Sequence, residues 1–155
     1  MTRATMRLRA AAVVIWVLGS GPTLLAQMGV GTWVQQSVGA SPGALTMTVE
    51  VCCNGGRRLV YRAINSPDVM MTVESPFDGT DAPIMAGGKP TGGTMGIKRV
   101  DDRHTVASLK MKGTIYGTSR ATLSPDGKTM TVESEITSAS SGQPVGKQTE
   151  VWVRK

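Results

Sequence analysis

His104 is the only histidine in the chain, and Asp101 and Asp102 lie just ahead of it. An imidazole beside carboxylates is the beginning of a divalent-metal site. Such sites need three or four converging ligands, however, and a lone His next to a turn is ordinarily a surface residue. Any acyl-transfer relay would depend on the same histidine, and no G-x-S-x-G motif is present. Gly87-Gly88-Lys89 resembles the start of a phosphate loop, but Pro90 stands where Ser or Thr is required. Glu133 and Glu135 share one face of an expected strand, opposite Met130, Val132 and Ile136, which makes them outer, solubilising carboxylates rather than an acid–base pair. No catalytic residue, metal or cofactor is assigned on these grounds, and the chain is not expected to be an enzyme.

Cys52 and Cys53 are the two cysteines. Adjacent residues of a strand point to opposite faces, so the pair cannot staple distant segments as secreted disulfides usually do. A vicinal bridge, an intermolecular link and two free thiols all remain open. The simplest expectation is one buried Cys acting as a small hydrophobe and one exposed Cys. A C-x-x-C redox motif is absent.

The chain's start has a different character from the rest. Arg3, Arg7 and Arg9 form a basic head, residues 10–18 are an unbroken apolar run, and residues 19–22 break it before small Ala26. This order is that of a secretory signal, and the run is far shorter than the roughly 20 residues that a spanning helix needs. The expected division is a signal peptide at 1–26 and one domain at 27–155, with an exported, periplasmic or extracellular product. Gln27 and Met28 follow Ala26, so no lipid-bearing Cys is offered and no stable membrane anchor is expected after cleavage. Removing residues 1–26 takes away three Arg and no acid, lowering the formal charge from +6 to +3. The remaining bases are scattered and few aromatics accompany them, so nucleic-acid binding is not expected. Oligomeric state is not set by any of these features.

The mature chain must therefore be read for what its elements position. Its dominant pattern has period two. Leu45, Met47, Val49 and Val51 alternate with Thr46, Thr48 and Glu50, which is how a half-buried strand reads. The same pattern runs through Val69, Met71 and Val73, through Met95 and Ile97, and through Ala107, Leu109 and Met111. It recurs on odd positions of 115–123, on Met130, Val132 and Ile136, and on Val151 and Val153. Met-Thr-Val-Glu occurs at 47–50, 71–74 and 130–133, which a strand wet on one side selects without any internal repeat. Ser124-Pro125-Asp126-Gly127 is a strong hairpin turn, because Pro presets φ, Asp bonds its own backbone and Gly takes positive φ. Asn54-Gly55-Gly56, Asp78-Gly79, Asp101-Asp102 and Ser140-Ser141-Gly142 are weaker turn signals. The expected fold is all-β, a single antiparallel up-and-down barrel of 8 to 10 strands, since closure removes the bare edges that invite aggregation.

Gly31-Thr32-Trp33 near the start of this domain and Val151-Trp152-Val153-Arg154 at its end resemble the opening and closing strands of the lipocalin and fatty-acid-binding superfamily. The order of Asp78-Gly79 with Pro83, Arg99-Val100-Asp101-Asp102, the stretch 124–132 and Gly142-Gln143-Pro144-Val145 resembles small exported bacterial lipocalin-like proteins. The resemblance implies that Trp33 closes the barrel floor beneath Arg154. It also implies an interior for a small hydrophobic ligand, with Met47, Val49, Met71, Met95, Ile97, Leu109, Met111, Met130 and Val132 as candidate lining, and Ala107, Gly117 and Ala121 leaving room. The glycine-rich residues 86–96 are expected to be a mobile part of the mouth, and residues 37–44 are too short for the two-helix lid of fatty-acid-binding proteins. The alternative is a non-catalytic envelope or interaction protein whose barrel is packed solid.

Overall fold

The computed structural model of the protein describes residues 29–36, 45–139 and 144–155. The expected signal peptide, the segment 37–44 and the turn at Ser140-Ser141-Gly142 lie outside the described residues. Ten strands follow one another: β1 (Gly31–Gln35), β2 (Leu45–Cys52), β3 (Gly56–Ala63), β4 (Val69–Ser75), β5 (Asp78–Ala86), β6 (Lys89–Arg99), β7 (His104–Met111), β8 (Thr114–Leu123), β9 (Thr129–Ile136) and β10 (Gly146–Arg154). Each pairs antiparallel with the next, and β10 returns to β1, so the sheet is a closed up-and-down barrel without a bare edge. Short β1 makes the seam: Trp33 stands opposite Met47 on one side and opposite Arg154 on the other.

Alternation explains most of the wall. In β2, Met47 and Val49 are buried while Glu50 is exposed, and all three Met-Thr-Val-Glu copies turn Met and Val inward and Glu outward. Glu133 and Glu135 lie outside, as their spacing predicts. The turn after β8 is built as its residues dictate. Ser124 and Thr129 pair through their backbones, the Ser124 hydroxyl accepts from the Thr129 amide, the Asp126 carboxylate accepts from the Lys128 amide, and Gly127 takes φ 69°.

Several expectations fail where a bulge or a mixed pattern intervenes. Register slips between Leu109 and Lys110, placing Leu109 opposite Gly117 but Lys110 opposite Ile115. Tyr116 therefore enters the core and Ile115, expected inside, is 54% exposed. A second slip at Tyr61/Arg62 leaves Val69 outside at 43% exposed. In β10 the inward face is the even one, Gln148, Glu150 and Trp152, and not Val151 and Val153. The glycine-rich residues 86–96 are not a loop: Ala86 ends β5, Gly87 and Gly88 turn the β5–β6 hairpin, and residues 89–96 are strand β6. Gly96 belongs there because a Cβ would come within 2.8 Å of the Asp81 carboxylate and 3.0 Å of the Ser108 hydroxyl. Asp78-Gly79 opens β5 as an irregular strand end instead of forming the turn before it.

The cysteines are also not both in a strand. Cys52 ends β2, while Cys53 starts a 3-10 turn with φ 47°, and the two are joined as a vicinal disulfide. The turn brings both sulfurs to one side, so the expected pair of one buried and one exposed thiol is replaced by a bridge at the protein surface.

Candidate functional site

One end of the barrel is sealed by a well-packed floor. Trp33 is fully buried, its Nε1 donates to the Gly29 carbonyl at 2.6 Å, and the Arg154 guanidinium lies 4.7 Å from the centre of its ring. Arg154 is held there by backbone acceptors on two turns, donating from Nε to Gly127 (2.9 Å) and from a terminal nitrogen to Val30 (2.8 Å). A cation fixed over an indole face contributes on the order of 0.5 to 2 kcal/mol, the more when water is excluded.

Above this floor the barrel is hollow. A chamber of about 360 Å³ occupies its interior, a size within the usual range for small-molecule pockets. Eight of the nine candidate lining residues face it: Met47, Val49, Met71, Met95, Ile97, Leu109, Met130 and Val132. Met111 does not. Lying beyond the bulge in β7, it packs on the cluster of Leu109, Tyr116 and Ile136. Ala107 and Ala121 do leave room, but the space at Gly117 is taken by Ile136, whose Cδ1 lies 2.7 Å from where a Cβ would stand. Within the stretch 86–96, Met95 alone reaches the chamber.

A second set of lining residues was not anticipated. Barrel register aligns Ala107, Ser119, Ser134 and Gln148 across four strands, and in the next row Ala121, Val132 and Glu150. Ser119, Ser134, Gln148 and Glu150 form a polar stretch on a mainly apolar wall. Trp152 stands beside it, donating from Nε1 to Glu150 at 3.1 Å and meeting Tyr61 edge-on at a centroid distance of 6.2 Å. The Tyr61 phenol is held far above its ordinary pKa, chiefly by burial and secondarily by the negative charge of Glu150. A signal for this row was present in the sequence: if Arg154 covers Trp33 it points inward, and period two then puts 152, 150 and 148 inside as well.

No protein-family model matches the sequence, and no curated protein matches it. Among solved structures, the chain resembles a crystal structure of a point variant of the fluorescent protein UnaG, with a TM-score of 0.59 and 12% identity, over 83% of this chain and 96% of that one. The likeness is one of fold, a closed antiparallel up-and-down barrel. At such low identity the likeness is one of architecture, and the chemistry of the chamber has to be taken from its own residues.

The other polar constellations lie elsewhere. His104 Nδ1 sits 2.8 Å from both Asp101 oxygens at the turn into β7, and no group of three potential metal ligands occurs among the described residues. A broader hollow on the outer face, across β6 to β10, is lined by Lys98, Arg120, Glu133, Glu135 and Lys147, a mixture of charges typical of a wet surface.

Proposed function

We propose that the protein is exported and that it holds a small hydrophobic molecule in the barrel interior without transforming it. The chamber carries this proposal: about 360 Å³ bounded mainly by Met, Leu, Ile, Val and aromatic side chains. Burial of an apolar molecule there gains on the order of 25 cal/mol for each Å² removed from water. Thioethers at Met47, Met71, Met95 and Met130 suit an occupant of irregular shape, because an unbranched side chain with three rotatable bonds adapts to its neighbour. A solidly packed barrel, the alternative weighed from sequence, would leave no space of this size. The basic head and apolar run of the first 26 residues support export.

Native mass spectrometry of protein purified from its own host tests the binding role. The expected spectrum contains an adduct that organic extraction removes and identifies as a lipophilic small molecule. A bare protein mass, together with failure of the purified protein to take up Nile red, would reject it. Amino-terminal sequencing of the same preparation tests export, with Gln27 as the expected first residue.

A further inference from the structure

The polar stretch of the chamber restricts what kind of molecule fits. Among the described residues Glu150 is the single carboxylate on the lining, and no Lys, Arg or His of them stands there to neutralise it. A carboxylate has about four acceptor positions, and Glu150 receives one hydrogen bond, from Trp152 Nε1 at 3.1 Å. Glu150 is half-buried, its remaining acceptor positions are not filled by the protein, and a cation arriving with the ligand takes them up with charge-assisted hydrogen bonds. The neighbouring groups suit the same arrival. Tyr61 and Trp152, set edge-to-face at 74°, bring aromatic rings beside the carboxylate, and the negative face of an aromatic ring attracts a cation. Ser119, Ser134 and Gln148 offer acceptor oxygens in the adjoining row.

We propose that the occupant is a cationic amphiphile: an apolar body, buried among the methionines and aliphatic side chains, that carries a protonated amine paired with Glu150. This rests on the binding role proposed above and makes it specific. A fatty carboxylate is the wrong partner, since it would bring a second negative charge to a wall whose described residues include no base. A neutral alcohol would donate its single hydroxyl to Glu150 but bring no charge to pair with it and no further donors.

Three ligands with the same chain separate these cases: dodecylamine, dodecanol and dodecanoate, each below its micelle concentration, competing with Nile red for the purified protein. The amine is expected to compete about ten-fold more strongly than the alcohol, the value of one charge-assisted hydrogen bond in a sheltered site, and the carboxylate most weakly. Glu150→Gln is expected to bring the amine down to the level of the alcohol, with thermal melting used to check that the variant is folded. Equal competition by all three ligands on the unaltered protein would overturn the role of Glu150 while leaving a hydrophobic chamber in place, as would an amine preference that persists in the folded Glu150→Gln variant. No uptake of Nile red or of any of the three would overturn the binding role itself, and the amine assignment with it.

Discussion

The two tryptophans of the barrel are both buried in one cluster but are held differently. Trp33, on the floor, is enclosed on every side, with its nitrogen bonded to a backbone carbonyl and its face covered by a guanidinium that is itself tied to two turns. Trp152, the inward residue just before Arg154 on the last strand, is also buried but borders the chamber, and its nitrogen is bonded to a side chain, Glu150. Backbone acceptors do not move, so the floor is committed to one arrangement. A carboxylate can exchange one donor for another, so the chamber keeps a bond that a guest can share. The difference indicates that the floor holds the barrel shut and that the chamber is available for function.

This contrast can be broken by substitution. The largest effect is expected from Trp33→Ala, which removes a large side chain from a site unable to collapse and should cost about 3 to 5 kcal/mol in denaturant unfolding. If the loss were under about 1 kcal/mol, the floor would not be the tightly packed seal described. Gly56→Ala comes next. A Cβ there would lie 2.5 Å from the Ser75 carbonyl oxygen, a backbone atom that cannot swing aside. Overpacking of this kind costs roughly 1 to 3 kcal/mol, again measurable as a shifted unfolding midpoint.

The chamber should respond in the opposite sense. Ala121→Phe projects a ring into existing space, so stability is expected to change by less than about 1 kcal/mol, while Nile red uptake falls by at least about ten-fold as the room for it is filled. A variant that was strongly destabilised, or one that bound Nile red as before, would show that Ala121 does not border usable space.

The smallest effect concerns acid. Asp78, Asp101 and Asp126 all sit at turns or strand ends on the floor side, and all are held below the ordinary aspartate range. For Asp78 and Asp101 the main cause is a bond accepted from a backbone amide, of Thr80 and Arg103 respectively; for Asp126 it is the Ser124 hydroxyl. A carboxyl lowered by folding stabilises the fold fully above its unfolded pKa, and that stabilisation is lost as pH falls through the lowered value. Hydrogen exchange at residues 99–104 and 124–129 should therefore rise below the carboxylate range before exchange at the chamber-lining strands does. Simultaneous loss of protection everywhere would count against a locally held floor.

How much of this was legible in the sequence depended on how cleanly each strand separates its two faces. In β2 every second residue from Leu45 to Val51 is apolar and those between are Thr or Glu. The inward positions Met47 and Val49 follow at once, although Val51, at the strand's end, is exposed. In β3 the pattern is blurred, because Leu59 and Tyr61 face inward while Val60 on the other face is buried too, so the strand that supplies the aromatic partner of Trp152 carries no clear signal. In β8 the bulge inverts the faces between Ile115 and Gly117, and nothing in the residues there announces it. In β10 the apolar residues Val151 and Val153 mark the outer face, and the polar Gln148 and Glu150 the inner one, so hydrophobicity alone points the wrong way.

By itself the sequence determined that the domain is built of antiparallel strands, where the Ser124–Gly127 hairpin turns, and that Trp33 and Arg154 belong together. These follow from local alternation, from turn chemistry and from an ordered resemblance along the chain. Only the tertiary structure decided that the barrel is hollow, that Met111 is shut out of the hollow, that Cys52 and Cys53 are bridged, and that Glu150 stands on the wall. The physical reason is that an interior is a sum over ten strands. Whether it fills depends on register and bulges, which shift whole faces and which no short stretch of residues encodes.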